Sequence, residues 1–570
     1  MVAYSMVNQK REKSQGEMRW LIQEEQHHDV IGENESINKP LHRTPSSISV
    51  GSYSQDETTN ETSDNETGFK DYETKLTWFV MKAAMIASLG GILFGYDLGV
   101  ISSALPQVKA AFNLDETQQE SVVSLLYLGA GFGALVGGYL CDANGRRWAI
   151  LLTDLIFVTG AAVMYLAPTF HFLLVGRFIM GFGVSLSGCA DVAYLTEIAP
   201  KYWRGALVSA NEACISFGFL AAYTTGYVLS QVDPDAGWRL MFGLSSVMAI
   251  VQGVGMLTLP ESPVWLSLQN GREAEVKSSL RQIYEFDCDV QVEQFYQNEF
   301  KYMMAAEGLQ SHNHHSLPHG ELSTKKDDDN AQKPALRDFY RQACIAAFLS
   351  IVQQFCGHAN VLNFAPTIFA SAGLGQHSAL ASTILLGSVK FIVTLFVIWK
   401  IDYVGRRVLL LTGMSVIAMS LLFMCIAFYD AHDVRTFLAV GGALFMAMGY
   451  AGSFGPLTWL LTSEMFPSEI RGRALGSSTV LSYFSASLVS FTFLSVQQRF
   501  DSLAAPFMMY LVITTISIIF AVVAIPDTGS QSPLDIHQNL QSMWFWRKVS
   551  SPDKTPNVNT NGSFEIPMLN

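Results

Sequence analysis

Glu197-Ile198-Ala199-Pro200-Lys201-Tyr202-Trp203-Arg204-Gly205 has a second copy in this chain. It returns 267 positions later as Glu464-Met465-Phe466-Pro467-Ser468-Glu469-Ile470-Arg471-Gly472, which preserves the frame Glu-x-x-Pro-x-x-x-Arg-Gly. A second element is doubled in the same order. Asp142-Ala143-Asn144-Gly145-Arg146-Arg147 recurs as Asp402-Tyr403-Val404-Gly405-Arg406-Arg407. In each half the Asp-x-x-Gly-Arg-Arg element comes first, two apolar stretches follow, and the Glu-x-x-Pro element closes the set. Fixed charges repeated in matching order mark an internal duplication. Two like halves set in apolar sequence are the pattern of transporters that hold a substrate between them.

The composition agrees. Of 570 residues, 49% are hydrophobic and 15% charged, and mean hydropathy is +0.25. That is too apolar for a soluble chain of this length and fits a polytopic membrane protein. The net charge of -13 gathers in the tails and the middle loop. Seven scattered cysteines suggest neither a disulfide framework nor a metal site. No short apolar segment with a cleavage site opens the chain, so the first span is expected to act as the insertion signal.

A membrane helix needs about 20 mainly apolar residues. Twelve segments qualify, centred near residues 88, 131, 158, 184, 218, 249, 352, 389, 419, 450, 486 and 515. The predicted fold is all-α, with twelve transmembrane helices in two six-helix bundles. The division reads 1–75 as a disordered tail, 76–266 as the first bundle, 267–336 as a loop with short helices, 337–527 as the second bundle and 528–570 as a second tail. Lys and Arg crowd the loops on one side (Arg146, Arg147, Lys201, Arg204, Lys400, Arg406, Arg407, Arg471, Arg473). Both termini and the long loop are therefore expected in the cytoplasm. The sequons at Asn34, Asn60 and Asn65 would then stay unglycosylated. His312, His314, His315 and His319 follow no ligand spacing and are read as solvated loop.

Further stretches carry a family resemblance. They are Gly90-Gly91-Ile92-Leu93-Phe94-Gly95-Tyr96-Asp97-Leu98-Gly99-Val100-Ile101-Ser102, Pro260-Glu261-Ser262-Pro263, Gln353-Gln354 and Pro526-Asp527-Thr528-Gly529. With the doubled motifs, they resemble the sugar porters of the major facilitator superfamily from about 78 to 530. The finer likeness is to the class III branch of facilitative glucose transporters (solute carrier family 2). Asn211-Glu212, the run Gly357 to Leu362, and Val389-Lys390 carry it. The resemblance implies major facilitator architecture and transport of a hexose by alternating access. It also implies two cytoplasmic charge networks that latch the halves: Asp142, Arg146, Arg147, Glu197 and Arg204, then Asp402, Arg406, Arg407, Glu464 and Arg471. On the residues alone, the glycine in each Asp-x-x-Gly-Arg-Arg loop suits a tight turn, and the arginines suit acidic or helix-end partners.

Asp97, Arg177, Asp191, Glu212 and Lys390 fall within apolar spans. An ionisable group there costs at least ~2.5 kcal/mol, so each is a functional candidate. The resemblance pairs Asp97 with Arg177 for proton coupling. It places sugar contacts at Phe94, Glu212, Ile215, Gln353, Gln354, Asn360, Lys390, Gly455 and Trp459. Sugars require dense hydrogen-bonding groups and an aromatic face, which the two glutamines and Trp459 supply. Gly455-Pro456 is expected to break the helix beside that site. Asn363-Phe364 stands where relatives carry an aromatic pair, so a looser external gate is expected. Glu212 and Lys390 stand where most sugar porters have neutral side chains, and a salt bridge between them, direct or through one water, is predicted.

Nothing resembles a catalytic triad, a phosphate loop or a nucleotide fold, so no enzyme activity, cofactor or metal is expected. The partners expected are a small sugar and the lipid bilayer, with protons as an open addition, no nucleic acid, and a monomer as the transport unit. Residence is expected in the plasma membrane, with an endomembrane as the alternative. The rival functions are a proton-coupled polyol or myo-inositol symporter and a non-transporting sugar sensor.

Overall fold

The computed structural model describes residues 76–233, 236–269, 271–301, 339–429, 434–528, 533–543 and 546. The expected disorder of 1–75, the sequons and the histidine run all lie outside them. Among the described residues the secondary structure is helical throughout, and twelve helices are long and apolar enough to cross a bilayer. Spans 1 to 6 are Trp78–Phe112, Glu116–Asn144, Arg146–Tyr165, Phe170–Ile198, Arg204–Val232 and Gly237–Leu257. Spans 7 to 12 are Tyr340–Asn363, Gln376–Lys400, Arg406–Tyr429, Arg435–Met465, Ile470–Phe500 and Ala505–Ala524. Their centres match the sequence reading, and the first span is longer than a bilayer requires. Leu155, Val254 and Ile516 are about 60% exposed, which suits faces turned toward lipid.

Lipid tails give helices no hydrophobic reason to associate, so close packing must hold them, and small residues permit it. Spans 1 and 5 meet backbone to backbone. A Cβ on Gly95 would lie 1.9 Å from the Ile215 carbonyl oxygen, and one on Gly218 would lie 2.3 Å from that of Ile92. Spans 2 and 4 repeat the device, since a Cβ on Gly181 would lie 1.9 Å from the Leu126 carbonyl oxygen. Helix ends are capped locally. Asp115 and Gln118 form a reciprocal capping box at the start of span 2.

The two halves meet along two seams, span 2 against span 11 and span 5 against span 8. Spans 1 to 6 are continuous helices, whereas spans 7, 10 and 11 are each interrupted. Span 7 breaks at Cys356-Gly357, where Gly357 adopts φ +79° and packs against the Tyr510 ring. Span 11 breaks at Thr492. The break in span 10 falls at Ser453 (φ -134°, ψ -90°), two residues before the expected Gly455. Pro456 then sits in the first turn of the helix Phe454–Met465, where a missing N–H removes no intrahelical bond.

Alternation of the spans puts both doubled motifs on one side, here the motif side. Part of the predicted long loop is folded against it. Helices Pro263–Leu268, Glu273–Tyr284 and Asp289–Phe295 dock under the first half. The Thr77 hydroxyl donates to the Ile283 carbonyl at 2.7 Å, and Tyr284, Phe286 and Phe295 stack on one another. Helix Pro533–Ser542, within the predicted second tail, docks under the second half. There the Gln342 amide and the His537 ring share a 2.9 Å hydrogen bond, and Phe339 packs on that ring.

Candidate functional site

The motif turns behave as their residue types require. Gly145 and Gly405 take φ +104° and +86°, a region that side-chain-bearing residues rarely adopt. Arg146 donates to Glu197 through Nε and Nη2, each at 2.9 Å. The Arg146–Asp142 pair is 3.1 Å long, but the Asp142 side chain is 75% exposed, so it adds little. Among the described residues, Arg147 bonds no acid through its side chain. Its guanidinium donates to the Met256 and Leu257 carbonyls at the end of span 6.

The second cluster follows the same plan. Arg406 reaches Glu464 at 3.3 Å, and Arg407 donates to the Val522 carbonyl at the end of span 12. Arg471 donates to the Phe466 carbonyl. Arg204 lines a cleft beside Glu197, Lys201 and Tyr284. The Asp402 side chain lies outside the described residues. The bonds just given stay within one half each.

Three members of these clusters, two in the first and one in the second, escaped the sequence reading. Glu261 accepts from the backbone N–H groups of Arg146 and Arg147 at 2.9 and 3.0 Å, and so caps span 3. Ser262 donates to Glu197, and Thr528 donates to Glu464 at 2.6 Å. Pro260-Glu261-Ser262 and Pro526-Asp527-Thr528 occupy matching places after spans 6 and 12. The repeat test that found the arginines would have found these too.

At mid-membrane the side chains converge between the halves. Gln353 donates to the Tyr450 hydroxyl at 2.9 Å and to the Phe454 carbonyl exposed by the span 10 break. Gln354 donates to Ser482 at 2.8 Å. His358 lies flat on the Tyr450 ring, centroids 3.4 Å apart. Both Tyr450 and His358 were missed because their spacing is that of ordinary core residues. Trp459 and Gly455 are half-buried on the same helix, and Phe94 reaches toward Gly188 of span 4. Glu212 and Ile215 are half-buried on span 5.

Three expectations are corrected by geometry. No direct ion pair joins Glu212 and Lys390, although each lies within electrostatic reach of the other. Instead the Lys390 ammonium sits 3.4 Å from the centroid of the Phe219 ring, two turns beyond Glu212, as a desolvated cation–π contact. Nor does Arg177 pair with the Asp97 carboxylate. Its guanidinium donates to the Val122 and Asp97 main-chain carbonyls and lies over Phe242, leaving Asp97 Oδ2 buried without a hydrogen bond. Asn360 is fully buried, its amide committed to the Val489 carbonyl and Tyr510 hydroxyl, so in this state it braces spans 7, 11 and 12.

The side opposite the motifs is closed, not loose. Asn363 donates to Tyr127 at 2.9 Å, and Phe364 stacks on Phe493. Ser487 donates to the Ser124 carbonyl. Outermost, the buried Glu120 carboxylate accepts from the Ser495 N–H at 2.8 Å and its hydroxyl at 2.5 Å. Ser495 lies in the first turn of the short helix Phe493–Phe500, so an acid meets a helix N-terminus across the seam. Nearer the motif side, Ser216 and Thr394 join spans 5 and 8 at 2.9 Å. A separate cavity of about 790 Å³ between spans 3, 5 and 6 faces outward. Its Thr224, Thr225 and Ser246 hydroxyls are spent on their own helix carbonyls, so it is poorly equipped for a sugar.

Two helical halves joined by two seams around a polar centre, with a charge cluster under each, are the architecture of a membrane transporter. The chain belongs to the sugar (and other) transporter family, whose model matches residues 83–540. It is 30% identical over 504 residues to solute carrier family 2, facilitated glucose transporter member 10 of Danio rerio, covering 80% of this chain and 91% of that one. It is 32% identical over 461 residues to D-xylose-proton symporter-like 2 of Arabidopsis thaliana, covering 78% and 87%. The inward-open xylose transporter XylE of E. coli superposes with a TM-score of 0.65 at 26% identity, covering 81% of this chain and 99% of that one.

Proposed function

We propose that this multi-pass membrane protein carries a glucose-like monosaccharide by alternating access, with the motif side in the cytoplasm and no covalent chemistry on the sugar. The polar centre between the halves carries this reading: Gln353, Gln354, Tyr450 and Trp459, with Glu212 and Lys390 facing them, combine hydrogen-bonding groups with aromatic faces. Residues 76–266 and 337–527 act as the moving halves. Glu120, Ser124, Tyr127 and Asn363 then close the external side.

Labelled glucose counterflow in proteoliposomes tests the function, with unlabelled hexoses, xylose and myo-inositol as competitors. Saturable counterflow that a hexose competes best supports the reading. Sugar binding without counterflow would replace it with the sensor alternative, and preferential competition by myo-inositol would make the protein a polyol carrier. Proton coupling is the second reading, and the orphaned Asp97 oxygen beside Arg177 favours it. An inward proton gradient should drive accumulation, and Asp97→Asn should abolish the accumulation while sparing exchange.

A further inference from the structure

Another acid site lies inside the first half, apart from Asp97. Asp191 on span 4 is 2% exposed and Asp154 on span 3 is 5% exposed. Asp191 is well supplied with donors: Ser187 donates to Oδ2 and the Gln252 amide to Oδ1 at 3.3 Å. Gln252, itself 1% exposed, also donates to the Ala87 carbonyl of span 1. Span 1 presses on this group, since a Cβ on Gly90 would lie 2.0 Å from Asp191 Oδ2.

Asp154 is the opposite case. Neither of its oxygens has a hydrogen-bond partner. Its Oδ2 lies 3.3 Å from where a Cβ of Gly253 would stand, one residue along span 6 from the glutamine that holds Asp191. The two carboxyls therefore converge on Gln252-Gly253 from spans 3 and 4, close enough for their charges to repel. Among the described residues neither acid makes an ion pair. The Cys189 thiol is the other titratable group in reach of Asp191. Spans 1 and 6 face the pair with Ala87, Gly90, Gln252 and Gly253, none of them titratable.

Two carboxylates in a low-dielectric interior without a counter-cation do not both ionise. Donated hydrogen bonds stabilise the charged form, and Asp191 has them while Asp154 has none. We propose that Asp154 and Asp191 form a proton-binding site, with the proton on Asp154 and the charge on Asp191. Because Gly90 of span 1 walls the site, movement of that span alters its surroundings and ties proton occupancy to the conformation of the first half.

Infrared difference spectroscopy on the purified full chain tests this without any sugar. At pH 7.5 the wild type should show a protonated-carboxyl stretch that shifts in D₂O, and Asp154→Asn should remove it. Asp191→Asn, which removes the neighbouring charge, should move the titration of that band to lower pH by at least one unit. Gel filtration and helical circular dichroism confirm folding of each variant. If Asp154→Asn misfolds, the Asp191→Asn titration alone decides. A band that survives Asp154→Asn, or that Asp97→Asn removes instead, overturns the proposal. An unmoved titration in Asp191→Asn does the same. Loss of the band on adding sodium chloride at fixed pH would also overturn it, by making this a sodium site. Sugar counterflow is a separate readout, so failure here leaves the transport reading intact.

Discussion

Replacing Glu120 should open the side of the protein opposite the motifs. Its carboxylate accepts two hydrogen bonds from Ser495, at 2.8 and 2.5 Å, across the seam between spans 2 and 11. A hydrogen bond to a charged group contributes ~1.5–3 kcal/mol. Two of them, taken at the lower end, favour the closed arrangement by about 3 kcal/mol. At 1.36 kcal/mol per factor of ten, Glu120→Ala should shift the closed-to-open ratio by roughly 100-fold. Glu120→Gln keeps one acceptor oxygen and should shift it about tenfold. Ser495→Ala removes the hydroxyl and should act like the glutamine variant. The double variant Glu120→Ala/Ser495→Ala should resemble Glu120→Ala alone, because the hydroxyl has already lost its partner. Spin labels at the exposed positions Thr117 and Arg499, read by pulsed electron–electron distances, report the separation. A longer-distance population should appear in Glu120→Ala and grow less in the other single variants. Unchanged distances in a folded Glu120→Ala protein, or strictly additive effects in the cycle, would refute the reasoning.

Other tests bear on the remaining structure. Glu197→Ala removes both bonds that Arg146 makes to Glu197 and the partner of Ser262; maximal flux should fall more than sugar binding weakens, checked by transport kinetics beside a binding titration. Gly95→Ala sets a methyl group against the Ile215 carbonyl, and the overpacking should cost about 1–3 kcal/mol, seen as a lower thermal midpoint in detergent. Phe219→Leu removes the ring beneath the Lys390 ammonium, an interaction worth ~2 kcal/mol when desolvated; sugar affinity should change more than in Phe217→Leu. Burial and the nearby Arg341 hold the His537 ring below its ordinary 6.5. Docking of helix Pro533–Ser542 is thus fully favoured above pH 6.5 and weakens as acid protonates the ring. Hydrogen-exchange protection there, referred to the intrinsic exchange rate at each pH, should fall between pH 7.5 and 5.5, and less so in His537→Gln.

The twelve spans and the doubled charge motifs were legible because both rest on features that survive any packing detail: length, apolarity and a glycine-bounded turn. Partners across the seams were not. Glu212 and Lys390 carry opposite signs on facing spans, yet the relative axial offset of two helices is not written in either one, and Lys390 settled on Phe219. Nothing in the sequence singles out Glu120, since its partner Ser495 lies 375 positions away. Asp154 hid within an otherwise apolar stretch, where a single acid gives no sign of a second one beside it. The span 10 break was foreseen from Gly455-Pro456 but misplaced, because a proline fits comfortably in the first turn after a break and so points upstream.

The interruptions at Gly357, Ser453 and Thr492 all fall in the second half, while the spans of the first half run unbroken. The duplicated halves have thus taken different mechanical duties, one stiff and one jointed. A jointed half can fold a short segment over a bound solute before the large rocking motion begins. Leakage through such a protein then requires two separate openings at once, and the product of two small probabilities keeps an uncoupled leak rare even when each barrier alone is modest.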